Sequence, residues 1–312
     1  MDGKIIIDLC CNFGKSVKIE KMAKNTVIEV KNLKKHFSAV KAVDGISFSI
    51  EKGEIFGFLG PNGAGKTTTI RMLMDFIRPT SGEITIAGLD SQANSVELKE
   101  KIGYLSDTAR FYNHWNVKNH LDFQQSLRGK SKNLAELIKL FGLTSKQKFA
   151  NLSSGNKRKL SIILALMNSP EILILDEPTS SLDPILQNAF LSYIDNFAKG
   201  GGTVFMSSHN LAEVEKICNR VGIIKGGKMV AVERISEMKL MKIYDVSFHS
   251  AGADPKIFAG NNVEIVNHID GLIMLKVKGD INPIVEKLAK IKVHDLEITH
   301  ASLEDIFLEY YN

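Results

Sequence analysis

The sequence predicts an α/β protein with a mixed sheet, a helical subdomain and a small C-terminal α+β domain. Two short apolar runs, Ile55–Leu59 and Ile172–Leu175, are typical of buried strands. Between about residues 107 and 168, apolar residues recur at three- and four-residue spacings, which indicates helices. Strand-like and helical runs return after about residue 240. A chain of 312 residues is long enough to bury one large domain and a smaller one.

A glycine-rich loop follows the first apolar run and leads into a helix that we expect to begin near Lys66. Its residues are Gly60, Pro61, Asn62, Gly63, Ala64, Gly65, Lys66, Thr67 and Thr68. Glycines let the backbone N–H groups converge on one point, and the N-terminus of a helix attracts anions there. The pattern predicts a nucleoside triphosphate site, in which Lys66 reaches the β- and γ-phosphates and Thr67 ligates Mg²⁺. A chance match is the alternative, and the strand-like and helix-like flanks disfavour it.

Two carboxylates follow the second apolar run. Asp176 and Glu177 come directly after Ile172–Leu175, and open α/β sheets bind ligands at the carboxyl ends of their strands. Asp176 suits the coordination of Mg²⁺, and Glu177 suits a base that orients and deprotonates the attacking water. An adjacent Asp-Glu pair is more often solvated surface charge. The preceding strand and the upstream phosphate loop favour the catalytic interpretation.

Three further segments carry polar groups at positions where elements begin or end. Leu152-Ser-Ser-Gly-Asn156 precedes a helical stretch from Leu160 to Met167, and the N-terminus of such a helix attracts an anion. Leu182-Asp183 follows the carboxylate pair, and the strand-like run 203–208 leads to His209. The segment at 152–156 is therefore a candidate anion-binding site in addition to the glycine-rich loop.

The order and spacing of these motifs resemble those of the ATP-binding cassette (ABC) ATPases, the motors of ABC transporters, over about residues 26–235. The resemblance implies a P-loop ATPase core that binds ATP and Mg²⁺. It implies catalysis by Lys66, Glu177 and His209, the last of which would contact the γ-phosphate. The other implied nucleotide contacts come from residues 60–68, from Phe37 stacking on adenine, from Ser153, Ser154 and Gly155 of the signature motif, and from Asp183 of the D-loop. The implied Mg²⁺ ligands are Thr67, Asp176 and Asp107.

Three positions depart from the pattern of the family. Asp107 stands at the glutamine position of the Q-loop, where it keeps an oxygen ligand but adds negative charge beside the phosphates. Ser154 replaces a glycine of the signature motif, and Asn156 replaces its glutamine. Both replacements keep the backbone N–H donors, so we expect phosphate contact to survive.

In this family the signature motif of one cassette covers the ATP that is held by the other. The resemblance therefore implies a head-to-tail dimer, either a homodimer or a pair with a related cassette subunit. The implied dimer closes on ATP and opens after hydrolysis, as an ordering switch driven by the γ-phosphate.

Composition favours a cytoplasmic subunit without its own membrane span. No apolar run approaches the roughly 20 residues needed to cross a bilayer, so the implied partner is a separate integral-membrane permease. We expect the chain to be peripheral on the cytoplasmic face of the cell membrane. Its net charge of +5 is interspersed along the sequence, and no nucleic-acid partner is expected. Cys10, Cys11 and Cys218 are expected to be free thiols in a reducing compartment.

The chain divides into three parts on these grounds: an N-terminal tail at 1–25, the ABC ATPase domain at 26–235 and an accessory domain at 236–312. Met22 is a candidate start of the cassette-like sequence. Within the helical subdomain, about 107–168, the aromatic stretch with Phe111, Tyr112 and Trp115 is expected to belong to the surface that receives the permease.

The accessory domain is expected to contain two strands and two helices. Tyr244–Phe248 and Leu272–Val277 are the strand-like runs, and Ile281–Ile291 is the first helical run. Ser302–Asp305 reads as a capping box that opens a final helix through Phe307 and Tyr310. The segment from Ala301 to Leu308 resembles the end of the drug- and antibiotic-exporter branch of ABC ATPases, whose partners are ABC-2 type permeases.

Two functions are consistent with these motifs. The first is the ATPase subunit of a transporter that hydrolyses MgATP to drive a separate permease, in the direction of export. The alternative is a soluble ABC ATPase that acts on the ribosome, on DNA or in iron-sulfur assembly. Translation-type members carry tandem cassettes and DNA-repair members carry a long heptad insertion, and this sequence has neither. Export is favoured on these grounds.

Overall fold

A computed structural model of the protein describes residues 25–108, 110–143, 146–240, 242–250, 252–301 and 306–307. Almost all of the predicted N-terminal tail, including Cys10, Cys11 and Met22, lies outside the described residues. The predicted capping box at Ser302–Asp305 and Tyr310 also lie outside them. Of the predicted final helix, Ile306 and Phe307 are described, and both are helical.

Strands and helices are interspersed along the described residues. The strands are β1 (Thr26–Phe37), β2 (Val40–Glu51), β3 (Ile55–Leu59), β4 (Ser81–Ile86), β5 (Leu89–Asp90), β6 (Ile102–Leu105), β7 (Ile172–Asp176), β8 (Thr203–Ser208), β9 (Arg220–Lys225), β10 (Lys228–Arg234), β11 (Ile243–His249), β12 (Val263–Ile269), β13 (Leu272–Lys278) and β14 (His294–His300). The helices are α1 (Lys66–Leu73), α2 (Ser95–Lys101), α3 (Val117–Arg128), α4 (Leu134–Phe141), α5 (Ser154–Leu166), α6 (Pro184–Lys199), α7 (Leu211–Ile217), α8 (Ile235–Lys239) and α9 (Asn282–Leu288).

The central sheet has six strands in the order β10-β9-β3-β8-β7-β6. All of its pairings are parallel except that of β10 with β9. Strands β3 and β7 are fully buried, which confirms the two apolar runs as core strands. Because β3, β7 and β8 are neighbours and run parallel, the residues that follow them lie at one edge of the sheet.

The central sheet is covered on both faces. On one face it packs against an antiparallel sheet of order β2-β1-β4-β5, with the rings of Phe48, Phe56 and Phe205 stacked between the two sheets. On the other face its apolar residues join a second buried cluster with those of helices α3 to α7. Burial on both faces explains why the parallel strands are almost continuously apolar.

The segment that was expected to be helical contains α3, α4 and α5. Helix α5 begins at Ser154, earlier than the predicted Leu160, because Ser153 caps it by accepting a hydrogen bond from the Asn156 N–H at 3.3 Å. Helix α4 ends at Phe141 and is capped by Gly142, which adopts a left-handed conformation. Among the helices of the described ranges, none is long and apolar enough to cross a membrane.

The C-terminal part forms an antiparallel sheet of order β12-β13-β11-β14. The predicted strands β11 and β13 are its two central strands, and they pack with α9 around Phe248 and Phe258. Helix α9 ends at Leu288 and not at the predicted Ile291, because the N–H groups of Lys290 and Ile291 bond three residues back and close the helix with a tight turn. The edge strands β12 and β14 were not predicted.

The accessory part is joined to the ATPase part by shared packing. Ile235 and Met238 of α8, together with Ile306 and Phe307, are buried in the same contiguous cluster as the helices that cover the central sheet. The division of the chain at residue 235 stays a prediction. Ile306 and Phe307 nevertheless contribute directly to the hydrophobic core beneath the central sheet.

Cys218 is the cysteine that the structure describes, and it is free and buried. Burial strongly raises the pKa of its thiol. The side chain packs 3.1 Å from the position that a β-carbon would take on Gly57 of β3. Cys218 is therefore a small apolar packing residue beneath the central sheet.

Gly103→Ala is expected to destabilise the protein by about 1–3 kcal/mol. A β-carbon on Gly103 of β6 would lie 2.3 Å from the Ala165 carbonyl oxygen of α5 and 2.8 Å from Leu173 Cδ2, so the strand and the helix would have to separate. Thermal unfolding should show a lower Tm. Gly260→Ala is the matched control, since nothing lies within 4 Å of its β-carbon position; equal Tm values for the two variants would contradict the close contact of β6 with α5.

Candidate functional site

The glycine-rich loop connects β3 to α1, as the sequence predicts. Gly63 and Gly65 have φ values of +79° and +113°. Residues that carry a β-carbon rarely adopt such positive φ values. A β-carbon on Gly65 would also lie 2.5 Å from the Ala42 carbonyl oxygen. Residue 65 must therefore be glycine for the loop to close against β2 and for α1 to begin at Lys66.

Lys66 is buried at the first position of α1, with 7% of its side chain exposed. Its Nζ donates to the Gly60 carbonyl oxygen at 2.6 Å, inside the loop, and lies 3.4 Å from Glu177 Oε1. The carbonyl groups of Gly60 and Pro61 and the carboxylate of Glu177 hold this amine at the centre of the loop. It can attract an anion that enters there.

The two carboxylates lie at the end of β7, and the structure brings Glu177 together with Lys66 and His209, the other two residues predicted to be catalytic. Glu177 Oε1 faces Lys66, and Glu177 Oε2 lies 2.8 Å from His209 Nδ1. His209 follows β8, the strand beside β7, which explains how residues so distant in sequence meet. A carboxylate between an amine and an imidazole can accept a proton from a water molecule. Its contact with the imidazole lets His209 respond to the change in charge on Glu177.

Glu177 itself has φ +47°, an uncommon conformation for a residue that carries a β-carbon. Its N–H donates to Ser207 Oγ at 3.1 Å, and its carbonyl accepts a hydrogen bond from Arg158. Hydrogen bonds therefore hold the peptide groups on both sides of this residue. They fix the direction in which the carboxylate points.

Asp176, the last residue of β7, is almost fully buried. Ser207 Oγ donates to its Oδ1 at 2.6 Å, and Thr67 forms a second side-chain hydrogen bond with it. Burial raises the pKa of Asp176, the two hydroxyl groups lower it, and the charges of Asp107 and Glu177 raise it again. The contact with Thr67 places the glycine-rich loop and the end of β7 against each other.

The Thr67 hydroxyl and the Asp176 carboxylate are hard oxygen donors on adjacent elements, which suits Mg²⁺. In the described part of the chain, no three His, Cys, Asp or Glu side chains converge on one metal position. A site with one carboxylate and one hydroxyl fits Mg²⁺ that also binds nucleotide phosphates, and does not fit a metal held by protein alone. Asp107 is exposed nearby, in the loop after β6.

The remaining predicted contact residues outside the glycine-rich loop are exposed, except Gly155, which is half-buried. Phe37 ends β1 with 48% exposure, and the Lys35 ammonium group lies 4.9 Å from its ring centre. Asp183 caps α6 by accepting from the Ile185 and Leu186 N–H groups. Within the described ranges, no hydrogen bond or ion pair joins Ser153, Ser154 or Gly155 to the glycine-rich loop or to the two carboxylates.

Sequence reasoning missed three groups that organise the site. Ser207 bridges Asp176 and Glu177. The buried Arg158 of α5 donates to carbonyl groups of several loops. Glu213 of α7 accepts from Thr179 Oγ1 at 2.7 Å and from Asn210 at 3.1 Å, and so joins the loops after β7 and β8. A signal was present for Arg158, which lies four residues before the apolar Ile162 and therefore on the buried side of its helix.

A groove of about 390 Å³ lies beside the loop after β6. It is lined by residues of the loop after α1, of α2, of β6 and the loop after it, and of α3 and α5, among them Phe76, Lys99, Ser106, Phe111 and Arg128. The predicted aromatic stretch lies next to it. The Trp115 ring packs on Tyr112 at 4.4 Å and on Phe123 at 5.3 Å between ring centres, and Tyr112 and Phe123 are exposed.

A family model for ABC transporters matches residues 43–180 of this chain. The bacitracin transport ATP-binding protein BcrA of Bacillus licheniformis is 34% identical over 300 residues, which cover 91% of this chain and 97% of BcrA. The linearmycin resistance ATP-binding protein LnrL of Bacillus subtilis is 39% identical over 213 residues, covering 66% of this chain and 68% of LnrL.

Solved structures show the same fold. The structure of an ATP-binding subunit of an ABC transporter superimposes with a TM-score of 0.64 at 28% identity, covering 69% of this chain and 92% of the other. The dimeric structure of MJ0796, a bacterial ABC transporter cassette, superimposes with a TM-score of 0.62 at 21% identity, covering 67% of this chain and 98% of that one.

Proposed function

Since the chain belongs to the ATP-binding proteins of ABC transporters and hydrolyses ATP, we propose that Glu177 is the catalytic base and that the hydrolysis drives export through a separate permease. The observation that carries the proposal is the position of the Glu177 carboxylate between Lys66 and His209. The alternative of a soluble ABC ATPase is not favoured.

In the proposed mechanism, Lys66 binds the β- and γ-phosphates and stabilises their charge. The carboxylate of Glu177 orients the attacking water and accepts its proton at an Oε atom, while His209 contacts the γ-phosphate from the neighbouring strand end. The contact between Glu177 and Lys66 keeps the base next to the phosphate-binding amine. Convergent N–H groups of residues 60–68 hold the rest of the triphosphate chain, and Phe37 stacks on adenine.

Mg²⁺ would be held by the hydroxyl of Thr67 and the carboxylate of Asp176, with Asp107 as a further oxygen donor. When bound, it neutralises charge on the phosphates. Ser207 and Thr67 both bond Asp176, so they orient its carboxylate before the ion arrives. The buried position of Asp176 excludes competing water from this side of the site.

The exposed signature residues complete the site of a second chain in this proposal. Ser153 and Ser154 lie at the N-terminus of α5, where N–H groups and the helix dipole attract phosphate. Gly155 and Asp183 are exposed or half-buried near them. A head-to-tail dimer, with a copy of this chain or a related cassette, would bring these groups to the ATP held on residues 60–68.

Export is proposed because the curated relatives BcrA and LnrL are named for bacitracin transport and linearmycin resistance. The proposed partner is an integral-membrane permease of the ABC-2 type, and the proposed location is the cytoplasmic face of the cell membrane. The groove beside β6 and the aromatic patch formed by Tyr112, Trp115 and Phe123 are the surface proposed to receive it, since exposed aromatic groups are enriched at protein interfaces.

The test is affinity capture of the tagged chain from gently solubilised native membranes, followed by protein identification. Recovery of a polytopic membrane protein in near-equal amount is expected. Recovery of ribosomes or soluble factors without a membrane protein would overturn the transporter assignment. The Lys66→Ala variant, captured in parallel, distinguishes ATP-dependent from constitutive partners.

Trp115→Asp is expected to weaken permease binding by roughly 30-fold, equivalent to the loss of a Trp interface residue worth about 2 kcal/mol. A carboxylate placed among the rings of Tyr112, His120 and Phe123 would have to be desolvated at the interface. Permease-stimulated ATP hydrolysis in vesicles should fall toward the basal rate, while ATP binding stays unchanged.

Two control variants accompany this experiment. Trp115→Phe keeps an aromatic ring and should retain most of the stimulation. Ile269→Asp puts the same charge on an exposed apolar residue of the C-terminal sheet, 58% exposed in β12, and should leave stimulation intact. Full stimulation of Trp115→Asp would remove the aromatic patch from the proposed interface.

A further inference from the structure

Arg158 of α5 is a buried cation that makes all of its described hydrogen bonds to backbone carbonyl groups. It is 4% exposed. Its Nη1 donates to Ser106 at 2.6 Å and to Asp107 at 3.2 Å. Its Nε donates to Pro178 at 3.0 Å, and its Nη2 donates to Asp176 at 3.2 Å and to Glu177. One side chain therefore links the loop after β6 to the loop after β7.

The guanidinium group suits this position better than any other side chain. It carries five N–H donors in a rigid plane, and five hydrogen bonds to carbonyl oxygens are present. A lysine has the same charge but only a compact ammonium group, so it cannot reach both loops at once. A buried charge without a paired carboxylate is costly, and the carbonyl dipoles together with the nearby negative charges of Asp107, Asp176 and Glu177 offset that cost.

The bonds of Arg158 fall where the backbone is strained. Glu177 has φ +47°, and a residue with a β-carbon is strained in this region and keeps the conformation only if its surroundings fix it. Arg158 holds the carbonyl groups of Glu177 and Pro178, and Ser207 holds the N–H of Glu177. Without the guanidinium group, the Glu177 carbonyl keeps the hydrogen bond from the Ser180 N–H at 3.2 Å, but it loses the bond from Arg158, and so does the Pro178 carbonyl. The backbone at Glu177 is then held less firmly, and the carboxylate is expected to shift from its place between Lys66 and His209.

We propose that Arg158 is a positioning residue for ATP hydrolysis: it holds Glu177 in its strained conformation and couples that conformation to the loop after β6. The inference rests on the proposed role of Glu177 as the base. Ser106, a partner of Arg158, lines the groove beside β6, as do Ser161 and Ala165 of the helix that carries Arg158. A movement of the residues that line the groove can therefore shift the backbone of Glu177 through the side chain of Arg158.

The test is a double-mutant cycle on the full-length chain, with single-turnover ATP hydrolysis and ATP affinity measured for each variant. Arg158→Met should lower the hydrolysis rate by about 10²-fold, the size of effect that a displacement of about 1 Å produces. Its affinity for ATP should change less than about threefold, since no bond of Arg158 reaches residues 60–68. In the Glu177→Gln background, Arg158→Met should have no further effect, because the base that it positions is already absent.

Two further variants keep the result interpretable. Arg158→Lys retains the positive charge and fills most of the space of the arginine side chain, so we expect it to fold. It should hydrolyse ATP at an intermediate rate with unchanged ATP affinity. Lys139→Met removes a cation from the exposed face of α4 and should behave as the unmodified chain. If Arg158→Met does not fold, the cycle with Arg158→Lys decides the question.

The outcomes separate the two hypotheses. Normal hydrolysis by Glu177→Gln would overturn the assignment of the base, and this inference with it. If Glu177→Gln is slowed as expected but Arg158→Met lowers the residual rate by the same factor in both backgrounds, Arg158 acts on the fold and not through Glu177. A loss confined to ATP affinity would likewise overturn the positioning role and leave the base assignment standing.

Discussion

Glu177→Gln is expected to lower the rate of ATP hydrolysis by roughly 10²–10⁴-fold, the contribution typical of a positioned general base, while the chain still binds ATP. Glutamine keeps the size of the side chain. Its carbonyl oxygen can still accept from Lys66, and its NH2 group can donate to His209 Nδ1. It cannot accept the proton of the attacking water. ATP should therefore stay bound and the closed dimer should accumulate, which light scattering in the presence and absence of ATP would detect.

Glu215→Gln is the control for this experiment. Glu215 is exposed on α7 and pairs with Lys239 at 3.1 Å, and a surface ion pair of this kind contributes little to stability. Its removal should leave the hydrolysis rate and the dimer unchanged. A Glu177→Gln chain that turned over ATP normally would show that the proton goes elsewhere, and loss of ATP binding would assign Glu177 to ground-state binding.

Lys66→Ala is expected to weaken ATP binding by about 10- to 150-fold, corresponding to the loss of one charge-assisted hydrogen bond of about 1.5–3 kcal/mol. The ammonium group is the buried cation inside the glycine-rich loop. Its removal leaves the Gly60 carbonyl and Glu177 facing the phosphates without a positive charge between them. Both groups then repel the triphosphate, and equilibrium binding of a fluorescent ATP analogue would measure the loss.

The matched control is Lys132→Ala, which removes an exposed lysine between α3 and α4. It should bind ATP as the unmodified chain does. Unchanged affinity in Lys66→Ala would mean that the backbone N–H groups alone hold the phosphates. A lower Tm of Lys66→Ala without nucleotide would instead assign the lysine to the folding of the loop.

Much of the core fold was predictable because its signals are local. The prediction of an α/β fold with a P-loop ATPase core is confirmed by the structure and by solved ABC cassettes. Strands β3 and β7 are buried on both faces and therefore read as continuous apolar runs. The start of α1 at Lys66 follows from the glycines before it. Local chemistry fixed each of these elements without reference to distant residues.

What escaped prediction depends on partners that are distant in sequence. Ser207 carries no distinctive motif, and its role appears only because β8 pairs with β7 so that it faces Asp176. Arg158 sits in a basic run that reads as surface charge, yet the fold buries it between two loops. The edge strands β12 and β14 are almost wholly exposed. Polar and apolar residues alternate at 295–299 of β14, but a run this short is a weak signal for a strand.

The burial of Ile306 and Phe307 in the larger core has a consequence for the order of synthesis. Domains generally fold as units while the chain emerges from the ribosome, and the residues that cover the central sheet are made long before position 306. The core of the nascent ATPase part therefore stays incomplete, with part of its apolar surface exposed, until the accessory sheet and then Ile306 and Phe307 have been translated. Premature termination within that sheet should leave a protein with intact nucleotide-binding motifs and an exposed apolar site that quality-control proteases and chaperones recognise.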